Sequence, residues 1–262
     1  MTITVQHLPN SVALVTLSAQ ASRNAFSLES MQLMSDIFDD LLEDPSIRSI
    51  VMTGTGRFFC SGADISAFAS AIDDGSIADM VGGLTSILHP MQLKIRSSEK
   101  IFVVAINGAA AGGGLGIALC ADYRVCEPNA KLAAAFFSLG LSPDGGTTWL
   151  LPRLVGTQKA KCFFFNNETW SGKQALEYGA VDEIAESSVL LDRAIDIAEK
   201  WGSWAVSSRR STKQLIDAST STFMETQLEF EKLLITNSSL TSDFAEGVSA
   251  FIEKRDPKFG EE

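Results

Sequence analysis

Three consecutive glycines, Gly112, Gly113 and Gly114, follow the apolar run Ile101–Ile106 and lead into Leu115-Gly116-Ile117-Ala118-Leu119. The pattern predicts a strand buried on both faces, a tight turn and a buried helix. Glycine lets a ligand approach the backbone, and the first N–H groups of a helix have no acceptor within it. Such groups suit an anion, or a carbonyl oxygen that becomes negative during a reaction. A second segment makes the same offer. Ile50-Val51-Met52-Thr53-Gly54 reads as a strand, and residues 56–65 as a glycine-punctuated loop in which Asp64 is placed to cap the next helix. Two loops could thus aim backbone donors at one oxyanion.

The elements that must hold these loops are legible as periodicities. Residues 3–5 and 12–17, separated by Pro9-Asn10-Ser11, predict a strand hairpin. Ser27, with Glu29 and Ser30, opens an amphipathic helix whose apolar face is Met31, Leu33, Met34, Ile37, Phe38, Leu41 and Leu42, and Pro45 ends it. Residues 47–53 read as a strand. Gly75, Gly82 and Gly83 interrupt residues 68–85, which predicts a mobile or variable segment. A helix then starts between residues 86 and 90 and ends near Arg96. Strand, turn and helix recur, so the chain is α/β with crossover units. Beyond Gly156 helices dominate: residues 158–165, 171–178, 188–201, and a long proline-free stretch over 207–250.

Bulk properties exclude several partners. Twenty-one Lys and Arg against 32 Asp and Glu leave a net charge of −11, which argues against nucleic acid or an anionic membrane surface. A few local cations can still hold a nucleotide-tailed anion. No apolar run approaches the roughly 18 residues of a spanning helix, and no leader-like start is visible, so a soluble cytoplasmic protein is expected. Cys60, Cys120, Cys126 and Cys162 form no C-x-x-C pair and read as buried thiols, and no metal site is expected from them with His7 and His89.

Residues 58–65 and 106–116 together resemble the two signature segments of the crotonase (enoyl-CoA hydratase/isomerase) superfamily. Arg23-Asn24-Ala25-Phe26 is similar to the family's first coenzyme A-contacting turn, and residues 139–156, with Ser142-Pro143-Asp144-Gly145-Gly146, to its third signature. Residues 175–184 and 246–255 fit as well, so the likeness runs through nearly the whole chain in order. It implies a spiral of four ββα turns over residues 1–182 that binds acyl-CoA. A helical region over 183–262 would close the pocket and trimerise the chain, often as a dimer of trimers. No permanently bound cofactor is implied, since coenzyme A arrives as part of the thioester substrate.

Residue by residue, the resemblance places the two oxyanion N–H groups on Ala63 and Gly113. It places coenzyme A against Arg23 and Ala25, against the backbone of Ala63, Asp64 and Ile65, and against Phe251 and Lys254, the last two often from a neighbouring subunit. Hydratases of the family carry two glutamates, where this chain has Gly116 and Ala135-Phe136-Phe137. One acid remains, Asp144, at a position resembling the aspartate of phenylacetate-pathway and other Δ3,Δ2-enoyl-CoA isomerases. A single carboxylate suits an allylic isomerisation, and Phe136, Phe137 and Leu141 would desolvate it. His89 stands where related dehalogenases place a histidine, although their tryptophan reads Phe136 here. An enoyl-CoA isomerase is therefore expected. The alternatives are a hydratase-like lyase, an aryl-CoA dehalogenase or thioester hydrolase using Asp144 and His89, and a non-catalytic acyl-CoA binder. Trp149, Trp170, Trp201 and Trp204 are expected in core or subunit contacts, and Trp149 alone is close enough in sequence to line the acyl pocket.

Overall fold

The structure is a computed structural model and describes residues 1–260 apart from 20 and 22. Six strands form the larger sheet: β1 (Thr2–Leu8), β2 (Val12–Ser18), β3 (Ser49–Gly54), β5 (Ile101–Ile106), β7 (Tyr123–Cys126) and β10 (Glu183–Ile184), in that spatial order. β1 pairs antiparallel with β2, and every other pair is parallel. A second sheet holds β4 (Phe58–Cys60), β6 (Ala109–Ala111), β8 (Lys131–Ala133) and β9 (Thr169–Ser171). Each of β3, β5 and β7 hands the chain to a short strand of the second sheet. This is the spiral that the resemblance implies.

The uniform apolarity of Ile101–Ile106 has a direct cause in the side-chain period of two. Phe102, Val104 and Ile106 face one core with Met31, Met34, Phe38 and Leu41 of α1 (Leu28–Glu43) and with Leu84, Leu88, Met91 and Ile95 of α3 (Ile77–Ser97). Ile101, Val103 and Ala105 face a second core with Leu190, Ala194 and Ala198 of α8 (Leu190–Gly202). Both faces are covered. The expected capping of α1 is present: Ser27 and Ser30 close a reciprocal capping box.

Residues 68–85 differ from expectation. Only Gly75, at φ +78°, breaks the chain, between α2 (Ile65–Asp73) and α3, and helix runs through Gly82 and Gly83. At Gly83 the helix passes close to α1: a Cβ there would come within 2.8 Å of Leu28 Cδ2, the end of a flexible side chain.

After α4 (Gly113–Cys120) come a 3₁₀ turn at Phe137–Leu139, α5 (Thr147–Val155), α6 (Thr157–Phe165) and α7 (Gly172–Tyr178). β10 pairs with β7 of the larger sheet and α8 packs on that sheet, so residues 183–202 share its core. The stretch 207–250 is three helices, α9 (Val206–Ser219), α10 (Met224–Ser238) and α11 (Ser242–Glu253), broken without proline by Ser/Thr turns such as the Thr241 cap on Phe244 N. α9 is latched to the core by cations. Buried Arg209 donates to the carbonyls of Trp204, Arg48 and Glu99, and Lys213 to those of Ile95 and Lys100 and to the Asp122 carboxylate. Among the described residues no helix is long and apolar enough to cross a membrane.

Candidate active site

Two asparagines build the corners where the larger sheet passes into the smaller. Asn107, after β5, accepts from Gly54 N at 3.0 Å and donates to Gly56 O (3.1 Å) and Phe58 O (3.2 Å). Asn24 is fully buried, accepts from Ala19 N at 2.7 Å and donates to Phe58 O (2.7 Å) and Thr55 O (3.2 Å). It sits at φ +53°, a left-handed conformation that asparagine tolerates. Neither side chain stood out in the sequence, because an asparagine beside a turn looks like ordinary turn chemistry.

The first turn then runs beside the loop after β4. Ser61 N donates to Arg23 O (3.3 Å), Phe26 N to Gly62 O (2.9 Å) and Asp64 N to Phe26 O (3.1 Å). Arg23, Ala25, Ala63, Asp64 and Ile65 therefore meet along one edge. The Arg23 and Ile65 side chains are exposed, whereas Ala25 is buried and offers a ligand its backbone. Asp64 caps α2 as expected, accepting from Ser66 N at 2.9 Å.

Ala63 lies directly against the start of α4. Gly62 is at φ +86°, and a Cβ placed on it would stand 3.0 Å from Ala111 O and 3.2 Å from Gly113 N. A Cβ on Gly114 would be 2.3 Å from Cys60 O, so this approach requires glycine. Among the described residues neither Ala63 N nor Gly113 N donates to a protein acceptor. Two unengaged N–H groups thus stand on touching loops.

Asp144 reaches the same place from the third signature. Gly145 and Gly146, at φ +58° and +71°, turn the chain onto α4, and a Cβ on Gly145 would lie 3.5 Å from Gly113 Cα. A Cβ on Gly116 would lie 2.3 Å from Gly145 O. The position where hydratases carry a glutamate is therefore filled by the backbone of the Asp144 turn. Within the run 135–137 at the other such position, Phe136 is buried in the core. Asp144 O accepts from Thr147 N (3.1 Å) and Thr147 Oγ1 (2.8 Å), holding the turn at the head of α5.

The Asp144 side chain is half-buried, and burial raises its carboxyl above the ordinary aspartate value. His89, on the exposed side of α3, acts the other way: a positive charge there lowers the Asp144 pKa. The loops that carry Ala63, Gly113 and Asp144 thus lie against one another, with His89 close enough for its charge to act on Asp144. The structure does not bring Phe251 and Lys254 to them. No hydrogen bond, ion pair or ring contact links either to these loops among the described residues, and Phe251 is 85% exposed at the end of α11. Trp149 is half-exposed. It stacks under Arg153 at 3.6 Å and faces a cleft of about 700 Å³ shared with Arg96, Trp201 and Asp217, because α5 carries it toward the far end of α4. The Cys60, Cys120 and Cys126 thiols are pushed by burial to about 12 and stay protonated at neutral pH. Among the described residues no cluster of His, Cys, Asp and Glu could hold a metal ion.

The sequence model of the enoyl-CoA hydratase/isomerase family matches residues 7–262. This chain belongs to the enoyl-CoA hydratase/isomerase family. It is 30% identical to the 1,2-epoxyphenylacetyl-CoA isomerase of Escherichia coli over 99% of this chain and 98% of that protein. It is equally, 30%, identical to the 2,3-dehydroadipyl-CoA hydratase of the same organism, over 95% and 94%. The crystal structure of an enoyl-CoA hydratase from Bacillus anthracis superposes with a TM-score of 0.92 at 30% identity, covering both chains fully. The chain is thus an acyl-CoA enzyme of crotonase fold. Relatives of equal identity carry isomerase and hydratase names, so the reaction must be argued from the side chains.

Proposed function

We propose that this enzyme shifts the double bond of an unsaturated acyl-CoA thioester, with Asp144 as the single proton carrier. The observation that carries this reading is the seat of the Asp144 turn on Gly113 and Gly116, in the space a hydratase glutamate would need. The Asp144 carboxylate takes a proton from C2 of a 3-enoyl thioester. The C2–C3 double bond forms as the C3–C4 bond's electrons move to C4, and the carboxyl returns the proton there. In the intervening dienolate the charge rests on the thioester oxygen, where the N–H groups of Ala63 and Gly113 receive it. One such donor is worth about 3–4 kcal/mol in other enzymes. A raised Asp144 pKa serves both halves, since the acid must also give the proton back.

The edge formed by Arg23, Ala25, Ala63, Asp64 and Ile65 would hold the coenzyme A portion, and His89 would tune Asp144. Phe251 and Lys254 would then reach the coenzyme from a neighbouring copy. Phe223, Met224, Ile235, Leu240 and Ile252 leave α10, α11 and their turns broadly apolar and exposed, which supports their use between subunits. Sedimentation at the mass of three or six chains is the expected outcome, and a monomer with intact activity would refute this assembly.

The function is tested by offering 3-enoyl-CoA and 2-enoyl-CoA separately. The proposal expects conversion of the first to the conjugated 2-enoyl-CoA, and little 3-hydroxyacyl-CoA from the second. Efficient hydration with no double-bond shift would overturn it. Binding of both without turnover would favour a non-catalytic acyl-CoA binder.

A further inference from the structure

Behind Asp144 lies a buried amide that the mechanism above does not use. Gln92 sits on the inner face of α3 among Leu88, Met91 and Ile95, and is itself 7% exposed. Its Nε2 donates to Gly145 O at 3.0 Å in a fully buried hydrogen bond. That carbonyl is the one lying against Gly116, so Gln92 and α4 grip the same peptide group from two sides.

The backbone here has little else to hold it. Gly145 and Gly146 both adopt left-handed conformations and carry no side chain to pack. Thr147 secures the carbonyl of Asp144, and Trp149 N and Leu150 N secure that of Gly146. Gln92 alone supplies a hydrogen bond to the carbonyl between them among the described residues. Without it that buried acceptor would be left unpaired, and the peptide would be driven to rotate toward water or another donor. Such a rotation changes ψ of Gly145 and φ of Gly146, the two left-handed residues that join Asp144 to the head of α5.

We infer that Gln92 is a positioning residue that fixes the Asp144–Gly145–Gly146 turn, and through it the place of Asp144 beside Gly113. This inference rests on the isomerase reading of the site. Gln92 touches neither substrate nor reacting atoms. Its contribution is geometric, and a misplacement of about 1 Å in a catalytic group can cost about 10²-fold in rate.

The test uses Gln92→Met, which keeps the length of the side chain and removes the donor. With 3-enoyl-CoA, kcat should fall between ten- and a hundred-fold (about the range for a displaced catalytic group), with KM little changed. Gln92→Glu can donate from a protonated carboxyl, and should recover part of that loss at the acid end of the pH range. The Asp144 carboxyl, followed by ¹³C NMR, should titrate at a different midpoint in Gln92→Met. That readout needs no turnover, so it tests Gln92 even if the chain fails to isomerise 3-enoyl-CoA and the proposed function falls. An unchanged Asp144 midpoint overturns the inference, whether kcat is also unchanged or falls in step with thermal stability.

Discussion

Asp144→Asn lowers kcat for double-bond migration about 10³-fold, within the range attributed to a positioned general acid–base, while the affinity for acyl-CoA stays near that of the parent. The amide is nearly isosteric and cannot take the proton from C2. The coenzyme edge at Arg23, Ala25 and Asp64 is formed by other loops and stays intact. The pH profile carries a second signature. Asp144 acts first as a base, so kcat/KM should rise with pH and level off above a midpoint higher than that of an ordinary aspartate, because burial raises it. His89→Ala removes the side chain that lowers the Asp144 pKa, and should move that midpoint further up. The same shift has a stability sign. A carboxyl whose folded pKa is raised binds its proton more tightly in the folded state, so its ionisation costs stability above the folded midpoint. Asp144→Asn should therefore be at least as stable as the parent at neutral pH, and the difference should vanish in acid, where Asp144 is protonated in both states. Full activity in Asp144→Asn, or a loss of activity that follows a loss of fold, would contradict this account.

Gly116→Glu, which restores the glutamate of a hydratase at that position, should abolish isomerisation without creating hydration. Its Cβ alone would stand 2.3 Å from Gly145 O, closer than real Cβ contacts come, and the partner is backbone rather than a flexible side chain. Either α4 or the Asp144 turn must move. The expected cost is about 1–3 kcal/mol of stability, typical of overpacking, with at least about 10²-fold in kcat as Asp144 leaves its seat. Gly116→Ala should show most of both effects, since the collision begins at Cβ. Thermal melts and steady-state rates on the two variants check this. Parent-like isomerisation in Gly116→Glu would show that the turn is free to move and that its seat does not position Asp144.

The strands and the two glycine loops were legible in the sequence because their cause is local. An apolar run covered on both faces needs no polar residue, and a donor loop where a Cβ would stand 2.3 Å from another backbone, as at Gly114, admits only glycine. Ser27 and Asp64 announced their helices by cap chemistry, which acts within three residues. Residues 68–85 misled because glycine usually breaks helices, whereas Gly82 and Gly83 lie inside α3. The positioning groups left weaker traces. Asn24, Asn107 and Gln92 act through hydrogen bonds to chain segments 31 to 53 residues away in sequence, a separation no local pattern encodes. Gln92 did leave one sign, a polar residue at a buried helical spacing between Leu88 and Ile95. Phe251, Lys254 and Trp149 show the opposite limit. Their surroundings depend on how α5 and α11 pack, which the pattern of their own residues does not fix.

The most direct measurement of the central claim follows a 3-enoyl-CoA with the parent enzyme in D₂O by NMR. The account predicts 2-enoyl-CoA as the product, with deuterium entering at C4 as the double bond moves and exchange at C2 of the remaining substrate. Both signals should disappear together in Asp144→Asn. Accumulation of 3-hydroxyacyl-CoA as the main product, or deuterium uptake that persists in Asp144→Asn, would contradict a single carboxylate working between C2 and C4.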